Sequence, residues 1–405
     1  MRGDHRVREL RHRAFTGRSR PAARVHHHHA QARALRSLQQ VQELRGIYYG
    51  LPIQIRCQFY FQNGRAVWRP HSRPGWPVAL IACRRGRPAG DLFGPQGEGD
   101  QAGRGRVHAI KPVVDAFTQQ TGIQVDLKVG KTSGLANEIR MEKARPLGDL
   151  YISTESGIVE ILTKDGLLDP YQSAATKAVP ADFRSVAGTW TGISGRARII
   201  LYNTNLVPEK DVPTSIFDLT NPKWKGKLAI AGTRERTTLA WATALVALKG
   251  EAFTRDYLKG LHANDLKILT DNTEVWQGVG RGEFAIGLTN SPNYYLARQN
   301  NLPVGVVYPD QDKGAFGTPI NPNAVAVIKG AANPEAARKF IDFVLSPAAQ
   351  RILATQDYEI PLVAGVNSSA ALPLQSIKRT AVKAQQLADL EEATLTLLTS
   401  LNPNW

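Results

Sequence analysis

Cysteine is nearly absent from this chain: there are two among 405 residues, Cys57 and Cys83, and none follows. No disulfide can therefore brace residues 107–405. That stretch is long enough to bury two sizeable cores without one, and its lack of cysteine suits an exported protein. Long apolar runs are missing too. The islands at residues 47–55 and 76–83 fall well short of the roughly 20 residues of a membrane span. Lysine is absent from residues 1–106, which hold 20 arginines and six acids, a net charge of +14. The rest holds 31 basic and 29 acidic residues, so almost all of the chain's +16 sits in its first quarter. The body lacks the basic excess that would point to nucleic acid. There is no nucleophile elbow, no glycine-rich phosphate loop before a helix and no Cys/His zinc spacing, hence no catalytic set.

Residues 1–106 show little globular patterning. Arginine, glycine and proline recur without a helix or strand period. Three readings compete: a basic arm for polyanions, a module of its own, or a misassigned start or reading frame. The abrupt change in composition near residue 100 favours the third. No apolar core of about 7–15 residues follows the basic start, as an export signal would require. Leu80-Ile81-Ala82-Cys83 has the look of a lipoprotein cleavage box set too deep in the chain, a coincidence. The run His26 to His29 offers metal donors, but no partner lies at useful spacing, so it reads as solvated. This segment is expected to remain unpacked.

From Val107 the pattern becomes globular. Ile110, Val113, Val114 and Phe117 mark a helix over residues 110–121, stopped by Gly122. Residues 123–129 alternate as a strand. A helix over 135–143, a strand over 149–153 and a helix over 157–165 follow. Further strands are predicted at 199–202, 227–231, 284–288, 304–308 and 324–328. Further helices are predicted at 237–249, 252–261, 273–281, 334–345 and 376–401. Strands alternating with helices predict an α/β fold with a parallel sheet covered on both faces.

Five blocks in order carry a resemblance: KPVVDAFTQQTGIQV, GDLYISTESGIVEILTKDGLL, SGRARIILYNTNLVPEKDVPTSIFDLTNPKWKGK, NTEVWQGVGRGEFAIGLTN and NPEAARKFIDFVLSPAAQRIL. Together they span about residues 107–365. They resemble the type II extracellular solute-binding proteins of ABC importers, most closely the ferric-iron branch. The resemblance implies two α/β lobes, hinge strands between them and a ligand in the interlobe cleft. Lobe one would be 107–198 plus 325–375 and lobe two 199–324, with a C-terminal helix within 376–405 across both. It implies a non-enzymatic, monomeric protein, periplasmic or tethered at the membrane surface, that hands its cargo to a membrane permease. One departure stands out. The family begins with a strand just before the first helix, and residues 100–106 are no strand here, so lobe one is expected to lack it.

The resemblance also implies a site. Phenolate oxygens suit ferric ion, a hard Lewis acid, and ferric-binding members place two adjacent tyrosines after a strand and an Asn. Here these are Tyr294 and Tyr295, two residues later than the tightest family pattern, with Pro292 intervening. Ser153, Thr154 and Glu155 match a loop where some members supply a carboxylate, although Glu155 is one position off and also reads as a helix cap. Asn272 and Asn290 match positions beside a synergistic anion. Thr237 and Thr238 open a helix where backbone N–H groups bind that anion. Arg196 and Arg198 offset anionic charge in the cleft, or one serves a structural ion pair. His108 falls after the family's histidine position, held here by Arg106. The expected cargo is Fe(III) with an anion. The alternatives are an anionic organic solute such as a phosphonate, and polyanion binding through the first 106 residues.

Overall fold

The computed structural model describes residues 61–62, 65–66, 78–84, 107–366 and 371–405. The expectations for His26 to His29, for residues 100–106 and for the arginine-rich arm as a polyanion binder lie outside them. Two units are distinguished, residues 1–70 and 71–405, and each is described by itself. In the first, β1 (Phe61–Gln62) pairs antiparallel with β2 (Arg65–Ala66).

The second unit contains the α/β body. Helix α1 (Val107–Thr121) buries Val113, Val114 and Phe117 on one face. It ends at Gly122, whose φ of 69° is the left-handed conformation that glycine adopts without steric cost. The strands of the first lobe are β3 (Val78–Arg84), β4 (Gln124–Gly130), β5 (Leu150–Ser153), β6 (Leu168–Asp169), β7 (Trp190–Asn203) and β12 (Ile320–Ile328). They lie in the order β4-β3-β5-β12-β7, with β6 also on β12. The second lobe continues from β7 through β10 (Ile286–Asn290), β8 (Leu228–Ala231) and β9 (Lys267–Leu269), with β11 (Val304–Val307) also on β7. Strand β7 is thus shared: its first half pairs with β12 and its second half with β10 and β11. The sequence marked only residues 199–202 of this 14-residue strand.

Two expectations are corrected here. The sheet is mixed, not parallel. Among the described strands, only β10–β8 and β8–β9 pair in parallel, while β7 and β12 run against their neighbours to carry the chain between lobes. Nor does the first lobe have a gap. The segment Val78–Arg84, which includes the supposed cleavage box, lies between β4 and β5 and pairs antiparallel with both. Its continuous apolar run fits a strand flanked on both sides.

Between the strands lie α2 (Thr132–Met141), α3 (Ser156–Lys164), α4 (Ala174–Ala178), α5 (Arg236–Lys249), α6 (Glu251–Ala263), α7 (Asn272–Arg281), α8 (Ser291–Gln299), α9 (Pro334–Val344), α10 (Pro347–Gln356) and α11 (Ala384–Leu401). One core joins α1 to α9, with Phe117 edge-on to Phe340 at 5.1 Å. A second surrounds Ile230, Trp241, Leu245 and Leu258. Helix α11 packs on α3 and on α5 and α6, with Leu398 in the second core, and so spans both lobes. It begins at Ala384 rather than 376, because residues before it run in extended and 3-10 conformation.

Candidate functional site

Arg196 and Arg198 are two residues apart on β7, so they share a face. They diverge to serve the two lobes. Arg196 donates to the backbone oxygen of Thr154 and lies 3.9 Å from the buried Glu359 carboxylate. Arg198 turns toward lobe two. It donates to Asn272 Oδ1 at 3.3 Å, Asn290 Oδ1 at 3.4 Å and Thr238 Oγ1 at 3.1 Å. Its guanidinium carbon sits 5.9 Å from the centre of the Trp241 ring. Burial pushes the Arg198 guanidinium down to about 9, with the Glu235 charge opposing that shift. It is still charged at neutral pH, yet its hydrogen-bond partners are neutral side chains.

Three helix starts meet at this cation. Thr237 and Thr238 belong to the first turn of α5, Asn272 opens α7, and Asn290 precedes α8. Asn290 does not cap its own helix. Its Nδ2 donates instead to Thr237 Oγ1 at 3.2 Å, while its Oδ1 accepts from Arg198. Asn272 likewise donates to Glu235 and accepts from Thr289 and Arg198. Neither α5 nor α8 has a side-chain cap at its start, and an uncapped helix start favours an anion. A cavity of about 20 Å³ lies here, bordered by both arginines, Thr237, Trp241, Asn290 and Leu387 of α11. That is room for about one water-sized group.

The tyrosines lie one step along α8. Tyr294 and Tyr295 are half-buried, with ring centres 5.1 Å apart in an edge-on pair. Two further tyrosines join them that were not singled out along the chain. Tyr308 follows β11, and its phenol lies beside that of Tyr295. Burial pushes the Tyr295 phenol up, against a smaller downward pull from Tyr308; the Tyr308 phenol is pushed up by burial and by its tyrosine neighbours. Tyr358 follows α10 and stacks on Tyr295 at 5.2 Å and 14°. Tyr308 falls at the end of the strand predicted over 304–308 and Tyr358 in no predicted element, and nothing along the chain ties either to Tyr295, so only the folded chain reveals their place. Among the described residues no group of three or more His, Cys, Asp or Glu could hold a metal.

Glu155 is engaged elsewhere. It caps α3 by accepting from Gly157 N and from Ile158 N, the latter at 3.1 Å, and pairs with Arg236 at 3.2 Å. Arg236 also binds Glu391 of α11. No described hydrogen bond or ring contact joins Glu155 to the tyrosines. Ser153 is buried and closes a local turn with Glu155, and the Thr154 hydroxyl meets that of Thr132 at 3.3 Å. The structure therefore brings Arg198, Thr237, Thr238, Asn272 and Asn290 into one network and pairs Tyr294 with Tyr295. It places Ser153, Thr154 and Glu155 at the junction of β5 and α3, where Thr154 meets Arg196 and Glu155 meets Arg236.

Residues 145–383 match the family model described as bacterial extracellular solute-binding protein. The chain belongs to that family. Its members are binding proteins rather than enzymes, and among the described residues no helix is long and apolar enough to cross a membrane. The major ferric iron-binding protein of Neisseria meningitidis is 32% identical over 296 residues, covering 71% of this chain and 87% of that protein. Iron uptake protein A1 of Synechocystis is 35% identical over 269 residues, covering 63% and 73%. Iron-bound HitA from Pseudomonas aeruginosa superposes with a TM-score of 0.67 at 28% identity, covering 74% of this chain and 97% of that one. These neighbours share the two-lobed fold.

Proposed function

We propose that this chain captures ferric iron together with an anion in its interlobe cleft, closes on them, and delivers the iron to an ABC permease in the membrane. The observation that carries this reading is the adjacent phenol pair Tyr294–Tyr295, on the helix whose preceding Asn290 touches the buried Arg198. Phenolates are hard anionic donors for a hard trivalent cation. The cation at Arg198 and the uncapped starts of α5 and α8 supply the anion's half of the site. Relatives named for ferric iron and iron uptake support it. Thr237, Thr238, Asn272 and Asn290 are the anion-side residues. Ser153, Thr154, Glu155 and Arg196 line the facing lobe, with Glu155 bound to Arg236 across the cleft. In this reading lobe one is 107–198 plus 325–375 joined by β3, lobe two is 199–324, and the protein works as a periplasmic or surface-tethered monomer.

Purified protein given Fe(III) should turn coloured through phenolate-to-iron charge transfer. The Tyr294→Phe/Tyr295→Phe double variant should keep its melting temperature and lose the band. A colourless parent protein would overturn the iron reading. The Arg198 network favours a second reading, an anionic organic solute alone. It would show as stabilisation by a phosphonate with no band on adding iron.

A further inference from the structure

We propose that Tyr358 is a positioning residue for Tyr295: its ring, presented from the lobe opposite α8, fixes the orientation of the Tyr295 phenol toward the cargo. The inference rests on the ferric-iron reading and deepens it. The ring of Tyr295 meets Tyr294 edge-on at 67° and Tyr358 nearly parallel at 14°, so it is held between two neighbours. Tyr294 and Tyr295 are consecutive on α8, and helix geometry alone does not face them toward one point. Tyr308 also lies beside the Tyr295 phenol, but the parallel ring of Tyr358 is the contact that sets the plane of the Tyr295 ring.

The backbone at Tyr358 is built for this contact. Its φ is +56°, a left-handed conformation that bulky residues seldom adopt and glycine takes freely. The flanking residues enforce it. Glu359 is buried and accepts from Ser194 Oγ and Asn323 Nδ2, beside Arg196. Ile360 exchanges two backbone hydrogen bonds of 2.8 Å with Gly195 of β7. Gly195 has no Cβ, and one added there would come within 2.9 Å of Ile320, so the close approach of the three segments needs glycine. A chain that merely had to turn at 358 would be relieved by glycine. The tyrosine there is costly for the backbone, and its ring stacks on the residue read as an iron ligand. Strain held in place by its surroundings and aimed at a site is a mark of function.

Four proteins decide it: the parent, Tyr358→Phe, Tyr358→Ala and Tyr358→Gly. Each is loaded with Fe(III), and the charge-transfer band and the release rate to a competing chelator are recorded. Tyr358→Ala is expected to shift the band and speed release by about five- to tenfold, the worth of one aromatic pair. Tyr358→Gly should do the same while its iron-free melting temperature stays at or above the parent's, because the backbone is relieved. Tyr358→Phe restores the ring and should restore the parent band and rate. Parent-like band and release in Tyr358→Ala and Tyr358→Gly overturn the proposal. So does loss of the band in Tyr358→Phe, which would make the hydroxyl a ligand. A fall in melting temperature in both Tyr358→Ala and Tyr358→Gly that accounts for the lost binding makes the residue structural and also overturns it. A colourless parent removes the ferric-iron reading itself, and this inference with it.

Discussion

Arg198 shows how a single side chain acquires its role from its surroundings. Two arginines two residues apart on a strand are equivalent in sequence. In the fold Arg196 faces the Glu359 carboxylate, whereas Arg198 donates to two asparagines and a threonine. A desolvated cation without a carboxylate hydrogen-bond partner is stabilised by an arriving anion. Sulfate, whose charge is constant from neutral to alkaline pH, should therefore stabilise the folded form by about 2.7 kcal/mol at a hundredfold excess over its Kd, and raise the melting temperature accordingly. Arg198→Gln should abolish the rise. The charged guanidinium is the form that binds, and its pKa is pushed down to about 9. The sulfate effect should therefore be full at pH 7 and shrink as the pH climbs through 9. Calorimetric melts at pH 7 and pH 10 measure it, and an equal shift in Arg198→Gln would place the anion elsewhere. The tyrosine pair, both arginines and the two asparagines were visible as residue types in the sequence. Their division into an anion network and a phenol cluster was not, because it depends on which helix starts meet β7.

Among the elements, β3 departs furthest from the sequence reading. Periodicity and charge set residues 1–106 apart as unpacked, yet Val78–Arg84 pairs on both sides within the first-lobe sheet. A lone apolar run gives no hint of its neighbours, since pairing partners are chosen across the chain. Ile81 lies opposite both Leu127 and Leu150, so proline there removes a ladder donor in a strand with no free edge. Ile81→Pro should lower stability by about 1–3 kcal/mol in denaturant unfolding, the cost of a backbone partner left unsatisfied. An unchanged midpoint would mean that the strand contributes nothing. Limited proteolysis should spare residues 78–84 for the same reason, and a chain cut back to residue 107 should be less stable than the parent. The helices α1, α5, α7 and α9 were legible to within a few residues, because each carries its own period, stop or cap.

At the scale of the whole molecule, the lobes meet through shared strands and through a charged contact. Arg236 at the start of α5 binds Glu155 of the first lobe and Glu391 of α11, and Lys164 of α3 binds Asp389. Glu155 is almost wholly buried, so Arg236→Gln leaves a carboxylate without its cation and should cost about 3 kcal/mol. The same variant loosens the contact between lobes. Small-angle scattering should find its iron-free form with a larger radius of gyration than the parent, and iron should shrink both. An identical radius in the two iron-free forms would show that this contact does not set the opening of the cleft.

The sequence by itself determined the class of fold, the order of most helices and strands, the family, and the residue types available to a cargo. Those follow from local periods, caps and ordered motifs, which are read along the chain. Only the tertiary structure decided that β3 completes the first lobe, that the sheet is mixed, that Arg198 rather than Arg196 faces neutral partners, and that Tyr308 and Tyr358 join Tyr295. Each of these is a contact between distant segments, and its geometry is set by how two lobes pack around one shared strand.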